Sequence, residues 1–174
     1  MIGLNTTILT SERLTYRLLT ENDKASLKLL LSDRDVTAPA GFLPCRTDAE
    51  FHDFFSALTQ HNTAVAVMLG DELIGYFHVN KYVADGLFAH KRCVGVGFVI
   101  GKAYQGRGFG KEMVKRMSEH LLERFDACFG DVFSGNEASR RTLESCFYRY
   151  LEDYTMFFEE LGEEKLCHSY VLTK

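Results

Sequence analysis

The sequence predicts a single α+β domain with a mixed, largely antiparallel sheet, and three observations support this. The chain of 174 residues is long enough to bury about 70% of the surface of its unfolded form. Hydrophobic residues make up 46% of the chain and prolines number only 2, which is typical of an ordered globular protein. Strand-like and helix-like segments follow in the order β-α-α-β-β-β-α-β-α-β-β. We therefore expect about seven strands and about four helices in one domain, residues 1–174.

The first half of the chain carries clear signals for the ends of its elements. Apolar residues alternate with polar ones up to Leu18, as in a half-buried strand. Thr20 with Asp23, and Thr47 with Glu50, are capping-box pairs that predict the starts of two helices. The glycine-containing turn 70–72 predicts a hairpin between strands 63–69 and 73–80.

The second half is predicted to add four strands and two helices. Residues 81–93 form a polar loop, and a stripe of apolar residues from Phe109 to Leu121 predicts an amphipathic helix. Asn136 is a good N-cap for the last helix. The predicted elements are a strand at 94–100, a helix ending near 124, a strand at 127–133, a helix at 136–145 and strands between 148 and 172.

Charge and hydropathy exclude several classes of partner. The formal net charge is −4, so no overall positive field exists to attract nucleic acid, and we expect no nucleic-acid partner. No apolar run is long enough to span a bilayer, and the first residues lack a basic stretch followed by an apolar one. We therefore expect a cytoplasmic protein with no membrane partner.

The cysteines predict neither a disulfide framework nor a metal site. Their number is odd, their spacing is wide and no C-x-x-C pair occurs, so buried reduced thiols are the better interpretation and we expect no metal. The five are Cys45, Cys93, Cys128, Cys146 and Cys167.

The segment after the strand at 94–100 carries the main chemical signal. Glycines at 106, 108 and 110 let the backbone turn tightly at a predicted helix N-terminus, where free N–H groups bind phosphate. The helix dipole favours an anion there by about 0.3 to 1 kcal/mol. Lys102, Arg107 and Lys111 lie nearby in sequence, so a diphosphate is the ligand that fits best.

Two other phosphate-binding patterns do not fit these residues. A Walker A loop requires glycine at position 105 and serine or threonine at position 112, but the chain has Gln105 and Glu112. A dinucleotide fingerprint requires glycine where Lys111 stands, and it requires a preceding βαβ unit rather than a hairpin.

The pattern Gln-x-x-Gly-x-Gly at 105–110 resembles the acetyl-CoA loop of the GNAT acetyltransferase superfamily. The predicted order of elements is similar to that of the whole superfamily. The segments Asp35-Val36-Thr37, Gly41-Phe42 and Gly135-Asn136-Glu137-Ala138-Ser139 resemble the branch containing the ribosomal-protein N-terminal acetyltransferases. The resemblance implies a GNAT-like sheet that is splayed between its fourth and fifth strands, with the pantetheine arm of acetyl-CoA in the gap.

The resemblance also implies which residues hold acetyl-CoA. The strand backbone would pair with pantetheine, the glycine turn would hold the pyrophosphate, and the last helix would contact the reacting end of the cofactor. The residues are Phe98, Val99 and Ile100, then Gln105, Gly106, Arg107, Gly108, Phe109, Gly110 and Lys111, and finally Asn136 and Ser139.

The catalytic groups are less well defined by the sequence. The superfamily transfers acetyl directly to a primary amine, which requires a base, an oxyanion donor and an acid. The chain lacks both the strand glutamate and the helix tyrosine of many relatives: it has no glutamate at 94–97, and Leu143 takes the tyrosine's place. His78 and Asp131 are then the candidate catalytic residues, acting through water.

Three functions stay open at this point. The first is an N-acetyltransferase that acts on a protein N-terminal α-amine or on a small-molecule amine. The second is a CoA-binding or sensor domain with little or no turnover, and the third is a nucleotide-phosphate protein unrelated to CoA. We expect segment 33–62 and loop 81–93 to form the acceptor pocket, but their sequence does not identify the amine. A homodimer is compatible with the sequence, which carries no signal for the oligomeric state.

Overall fold

The computed structural model of the protein describes Leu4, residues 8–158 and residues 162–174, and it confirms the predicted α+β class. The predicted strand region 148–172 includes residues 159–161, which lie outside the described residues. The strands are β1 (Leu9–Thr10), β2 (Thr15–Leu18), β3 (Ala64–Leu69), β4 (Glu72–Lys81), β5 (Cys93–Ile100), β6 (Ala127–Phe133), β7 (Arg149–Phe158) and β8 (Glu163–Thr173). The helices are α1 (Lys24–Leu30), α2 (Arg34–Thr37), α3 (Asp48–Thr59), α4 (Phe109–Leu122) and α5 (Glu137–Ser145).

The strands form one sheet in the order β1-β2-β3-β4-β5-β6-β8-β7. All neighbouring strands are antiparallel except β5 and β6, so the sheet is mixed and largely antiparallel as predicted. The sequence did not predict β1 or α2. Each is too short to show a hydrophobic period, since β1 has 2 residues and α2 has 4.

The two faces of the sheet are covered by different helices. Helices α4 and α5 pack on one face, where the predicted stripe from Phe109 to Leu121 is fully buried. Helices α1, α2 and α3 pack on the other face but cover only the half formed by β2 to β5. The 82–88 loop covers one end of the remaining half, over Phe129. At the other end of that half, Gly41, which ends the 3-10 helix Ala38–Ala40, lies against Phe133 of β6 and Phe158 of β7.

The start of the first helical segment confirms the predicted capping box. The Asp23 carboxylate accepts hydrogen bonds from the Thr20 backbone N–H at 2.8 Å and from the Thr20 hydroxyl at 2.9 Å. Arg17 on β2 adds two bonds of 2.7 Å to the same carboxylate. Burial alone would raise the pKa of Asp23, but the bonds from Arg17 and Thr20 outweigh it and lower that pKa. The cap therefore also fixes the helix to the sheet.

Strands β5 and β6 part after a short common stretch. They pair from Cys93 with Ala127 to Gly95 with Phe129, and no later residues pair. Beyond this point β5 continues to Ile100 paired only with β4, and β6 continues to Phe133 paired only with β8. The sheet is therefore splayed between these two strands, as the resemblance implied.

Helix α5 ends with a residue in an unusual conformation. Phe147 has a φ of 67°, in the left-handed region, and its side chain is 75% exposed. The N–H of Tyr148 donates to the carbonyl of Leu143 at 3.1 Å, and that of Phe147 donates to Glu144 at 3.1 Å. This is the Schellman pattern, whose left-handed position is usually filled by glycine. Here phenylalanine occupies the position, although its β-carbon makes the left-handed conformation sterically unfavourable.

We expect Phe147→Gly to raise the free energy of unfolding by about 0.5 to 1 kcal/mol, because glycine removes the left-handed strain at a position with little buried surface. Urea denaturation followed by circular dichroism measures this. Phe147→Ala is the matched control, since it removes the ring and keeps the β-carbon. A glycine variant no more stable than the alanine variant would contradict the explanation.

Candidate active site

The N-terminus of α4 is open to a ligand. Gly108 is its N-cap residue and adopts a left-handed φ of 83°, and Gly106 has a φ of 72°. Helices α3 and α5 begin with side-chain caps, since Thr47 accepts from the N–H of Glu50 and Asn136 accepts from that of Ser139. Gly108 provides no such cap, so the first N–H groups of this 14-residue helix have no side-chain partner from their N-cap residue.

An ion pair on the opposite side holds the glycine turn in place. The Glu112 carboxylate accepts from the Ser11 hydroxyl, the Arg13 N–H and Arg13 Nε, each at 2.7 Å. Arg13 Nη1 also donates to the carbonyl of Arg107 at 3.1 Å, and its guanidinium lies 4.4 Å from the centre of the Phe109 ring. Although burial alone would raise the pKa of Glu112, these bonds lower it. The turn is thus fixed from the connection between β1 and β2 before any ligand binds.

The other predicted loop residues have different roles. The Gln105 side chain donates to the carbonyl of Ile100 at 2.9 Å, which closes the connection between β5 and α4. Arg107 stacks on the Tyr104 and Phe109 rings, at 5.8 and 5.0 Å. Lys102 is bound to Asp35 on α2 and therefore points away from the anion site. Of these two basic groups, Arg107 is the better placed to meet a phosphate.

The edge of β5 that faces the gap contains the predicted pantetheine-binding residues Phe98, Val99 and Ile100. Because β5 and β6 pair only up to Gly95, this edge of β5 has no partner strand in the described sheet. Gly101, a short 3-10 helix at Lys102–Tyr104 and the glycine turn follow in that order. An open strand edge and an uncapped helix N-terminus are therefore consecutive along the chain, and the two are separated by one turn.

His78 covers the glycines of β5 from the neighbouring strand. It is paired with Gly97, and a β-carbon at that position would collide with the imidazole ring. The ring stacks on Tyr76 with a centroid distance of 5.7 Å. Its Nδ1 atom is buried and has no hydrogen-bond partner among the described residues. Burial lowers the pKa of His78 to about 4, so the imidazole is neutral at pH 7.

Asp131 lies across the gap from His78, on β6. It is exposed and follows Phe129 by two residues, so both side chains are on the face that α1 to α3 occupy elsewhere. Asp131 is paired with Ser169 of β8, and Ser169 is paired on its other side with Glu152 of β7. The structure thus places both candidate catalytic residues on the same face, at the two sides of the gap.

Two cavities open on this face, one toward each end of β6. The Ser169 cavity has a volume of about 250 Å³, and its lining includes Tyr82, Asp85, Phe129, Glu152, Tyr154 and Ser169. The Pro39 cavity has a volume of about 610 Å³, and its lining includes Arg34, Asp35, Pro39, Phe133, Asn136 and Lys165. Asp131 lies between Phe129 and Phe133 in sequence, and hence between the two cavities.

The segment around α2 connects the two sides of the gap. Asn136, at the start of α5, donates from Nδ2 to the carbonyl of Pro39 at 2.8 Å. Its Oδ1 accepts from the N–H of Ser139 at 3.1 Å. On the β5 side, the segment is held by the ion pair of Asp35 with Lys102. Both ends of the Asn136 amide are therefore used within the protein, and its contact with a ligand stays a prediction, as does that of Ser139.

The remaining sequence-based candidates are structural. Leu143, at the position where many relatives carry a tyrosine, is buried against Gly130 and carries no proton to transfer. Four of the cysteines are buried free thiols, namely Cys93, Cys128, Cys146 and Cys167. In the part of the chain that the structure describes, no group of three His, Cys, Asp or Glu residues comes together as metal ligands would. None of the described helices has the length and apolar character needed to cross a bilayer.

Sequence reasoning missed the Arg13–Glu112 pair and the half of the Ser169 cavity that strands β6, β7 and β8 form; the other half comes from the loop 81–93 that was predicted to line the acceptor pocket. Arg13 and Glu112 are far apart in the chain, and nothing in the local pattern of either residue indicates the other. The cavity takes Tyr82 from a loop and Glu152, Tyr154 and Ser169 from β7 and β8. The strand alternation at 148–172 was the available signal, but it required the β6-β8-β7 order to become useful.

The fold and this site define the class of protein: an α+β domain with a glycine turn at a helix N-terminus next to a splayed sheet. Residues 13–148 match the family described as the acetyltransferase (GNAT) domain. The chain therefore belongs to the GNAT acetyltransferase family, and it is an acyltransferase. No curated protein sequence matches it significantly.

Several solved structures share the fold at low identity. A GNAT-family acetyltransferase from Bacillus anthracis is 17% identical with a TM-score of 0.82, covering 96% of this chain and 98% of that one. Spermidine N-acetyltransferase from Vibrio cholerae, solved with CoA and spermine, is 17% identical with a TM-score of 0.78, covering 94% and 96%. RimL, a ribosomal L7/L12 α-N-protein acetyltransferase solved with CoA, is 16% identical with a TM-score of 0.78, covering 96% and 98%.

The buried imidazole of His78 predicts a pH dependence of stability. Its pKa is about 4 in the folded protein and about 6.5 when unfolded, so the unfolded chain binds more protons between these values. The stability present above pH 6.5 is therefore lost as the pH falls toward 4, by about 1 to 3 kcal/mol. We expect His78→Gln to lose less stability than the wild type between pH 7 and pH 4.5 in urea denaturation. Parallel losses in the two proteins would show that His78 is not the group responsible.

Proposed function

We propose that the protein transfers the acetyl group of acetyl-CoA directly to a primary amine. The single observation that carries this proposal is the continuity of the unpaired β5 edge with the uncapped N-terminus of α4. The edge suits the amide groups of a pantetheine arm, which can pair with it as a strand does. The helix N-terminus suits the diphosphate. One ligand that has both parts in this order is coenzyme A.

The residues of the turn fit a diphosphate. A side chain at Gly106 would find open space, with no described atom within 4 Å of its β-carbon, so a ligand can approach the backbone there. Arg107 adds a cation that forms no ion pair with any described carboxylate. Phe109, Gly110 and Lys111 supply the first N–H groups of the helix. The cofactor-binding set predicted from the sequence is retained in this proposal.

The amine is proposed to approach from the face that carries His78 and Asp131. Bond formation between its nitrogen and the acetyl carbon breaks the carbon–sulfur bond, and overall one proton passes from the nitrogen to the leaving thiolate. The Nδ1 atom of His78 is buried, so an amine can meet the neutral imidazole only at Nε2, which can accept a hydrogen bond from it. With a pKa of about 4, His78 orients the amine better than it removes a proton from an ammonium ion. Asp131 is the second group proposed to hold the amine.

The CoA-binding or sensor function is the alternative. It is favoured by Leu143, which leaves no proton donor at the position where many relatives have a tyrosine. Family membership and the fit of the pantetheine edge favour CoA over an unrelated nucleotide phosphate. A cytoplasmic location and a homodimer also stay proposals, which fractionation and sedimentation velocity test directly.

We expect Arg107→Glu to weaken CoA binding by about tenfold or more, because the substitution places a negative charge beside the diphosphate. Isothermal titration calorimetry measures the Kd. Arg149→Glu makes the same charge change on the exposed edge strand β7 and should bind CoA like the wild type. If the two variants bound CoA with equal affinity, the proposal that the diphosphate binds at this turn would be wrong.

The proposed reaction is tested by release of free CoA thiol from acetyl-CoA with a panel of amines. The panel contains peptides with free N-termini, aliphatic diamines, amino acids and aminoglycosides. We expect release with at least one class and mass-spectrometric detection of an N-acetyl product. Tight CoA binding without thiol release across the panel would instead support the sensor function.

A further inference from the structure

The ring of Phe147 is exposed at a position where the backbone is strained. Phe147 has a left-handed φ of 67° and is 75% exposed. Packing does not explain a phenylalanine here, because an exposed ring contributes little to the core and glycine would relieve the strain. Strained residues of this kind are concentrated at binding sites, where the strain serves function. The ring is therefore a candidate contact for a ligand.

The end of α5, where Phe147 lies, packs against the first half of α4. The Sγ atom of Cys146 lies 3.4 Å from the carbonyl oxygen of Lys111. The Tyr148 hydroxyl is 2.8 Å from that of Ser118, seven residues further along α4. Residues seven apart lie on the same side of a helix. Phe147 comes between these two contacts in the chain, so it lies beside the face of α4 that begins at Lys111.

This face of α4 is basic where it is exposed. Lys111 and Lys115 are both exposed and are four residues apart, so their side chains are neighbours on the helix surface. Neither forms an ion pair with a described carboxylate. Burial raises the pKa of the Cys146 thiol, and Ser145 and the charges of both lysines oppose that rise. Both cations are therefore close to the end of α5, and an exposed ring beside them suits a ligand with a flat ring and a phosphate.

The basic face starts at the turn where the diphosphate is proposed to bind. Lys111 is in the first turn of α4, and Lys115 is about 6 Å further along the helix axis. A β-carbon at Gly110 would lie 3.8 Å from Thr142, so α5 also reaches this first turn. In coenzyme A, the diphosphate is attached to an adenosine that carries a 3′-phosphate. The base and the 3′-phosphate of a cofactor bound at the turn can therefore reach Phe147 and the two lysines.

We propose that Phe147 binds the adenine of coenzyme A by stacking, while Lys111 and Lys115 pair with the 3′-phosphate. This inference rests on the proposed function and adds a residue that recognises the nucleotide end of the cofactor. The left-handed backbone fixes the direction of the Cα–Cβ bond, so the ring is presented before the ligand arrives and less freedom is lost on binding. The steric cost of phenylalanine at the end of α5 is then kept for affinity.

The affinity test compares CoA with 4′-phosphopantetheine, which keeps the arm and lacks the adenosine. We expect Phe147→Ala to weaken CoA binding about fivefold or more in calorimetry and to leave the affinity for 4′-phosphopantetheine unchanged. Phe147→Tyr keeps an aromatic face and should bind CoA like the wild type. Phe157→Ala is the matched control, since it removes a ring that is 58% exposed on the edge strand β7, and it should change neither affinity.

Two results would overturn the inference: equal CoA affinities for the wild type and Phe147→Ala, or an equal loss of affinity for both ligands. Phe147→Gly separates binding from a structural role of the ring. It is expected to be more stable than the wild type and yet to bind CoA more weakly, because it removes the strain and the stacking surface together. A glycine variant that gains stability and keeps full CoA affinity would show that the ring does not contact the cofactor.

A fluorescence titration reports on the position itself. The chain contains no tryptophan, so Phe147→Trp introduces a single indole there. We expect CoA and adenosine 3′,5′-bisphosphate to quench its emission by stacking, and 4′-phosphopantetheine to leave it unchanged. If CoA does not bind at all, the proposed function is wrong, but quenching by the bisphosphate would still support the nucleotide site. Absence of quenching by both nucleotides would overturn the inference.

Discussion

The separation of β5 from β6 is the constraint on which the site depends. The two strands share hydrogen bonds at one end, where Cys93 and Gly95 face Ala127 and Phe129, and this end fixes their direction. Past it, each strand keeps its other neighbour, so both stay extended although the ladder between them has ended. Because the sheet itself holds this edge of β5 open, little free energy is needed to expose it to a ligand.

The glycines of β5 and the side chains of β4 are complementary. Gly95 and Gly97 leave space on the sheet surface, and the side chains of Asn80 and His78 fill it from β4. A strand glutamate, as many relatives have near this point, would change this packing. In this chain an amide, from Asn80, and a neutral imidazole, from His78, lie beside the gap instead. The polar chemistry of this face is thus supplied by the neighbouring strand and not by β5 itself.

The parts of the structure that could be predicted from the sequence are those set by local patterns. The capping box at Thr20, the N-cap at Thr47 and the glycine turn before Phe109 are local, and the structure has each of them where the sequence indicated. At Thr47 the reciprocal bond of a capping box is absent, because the Glu50 carboxylate accepts from the N–H of Arg46 instead. Contacts between distant segments could not be predicted in this way. The contact of Arg13 with the glycine turn depends on the β1–β2 connection meeting the start of α4. The Ser169 cavity depends on the crossover that places β8 between β6 and β7. Neither arrangement leaves a periodic signal in the chain.

The segment from Asp33 to Pro39 touches both connections that border the gap, through Lys102 on one side and Asn136 on the other. The glycine turn, where CoA is proposed to bind, and the face on which the amine is proposed to approach therefore share one wall. Any molecule that moves this wall when it binds on one side alters the free energy of binding on the other, and the effect is equal in both directions. In the proposed reaction, a substitution in this short stretch of chain that changes the coupling would therefore change it by the same factor for the thioester and for the amine.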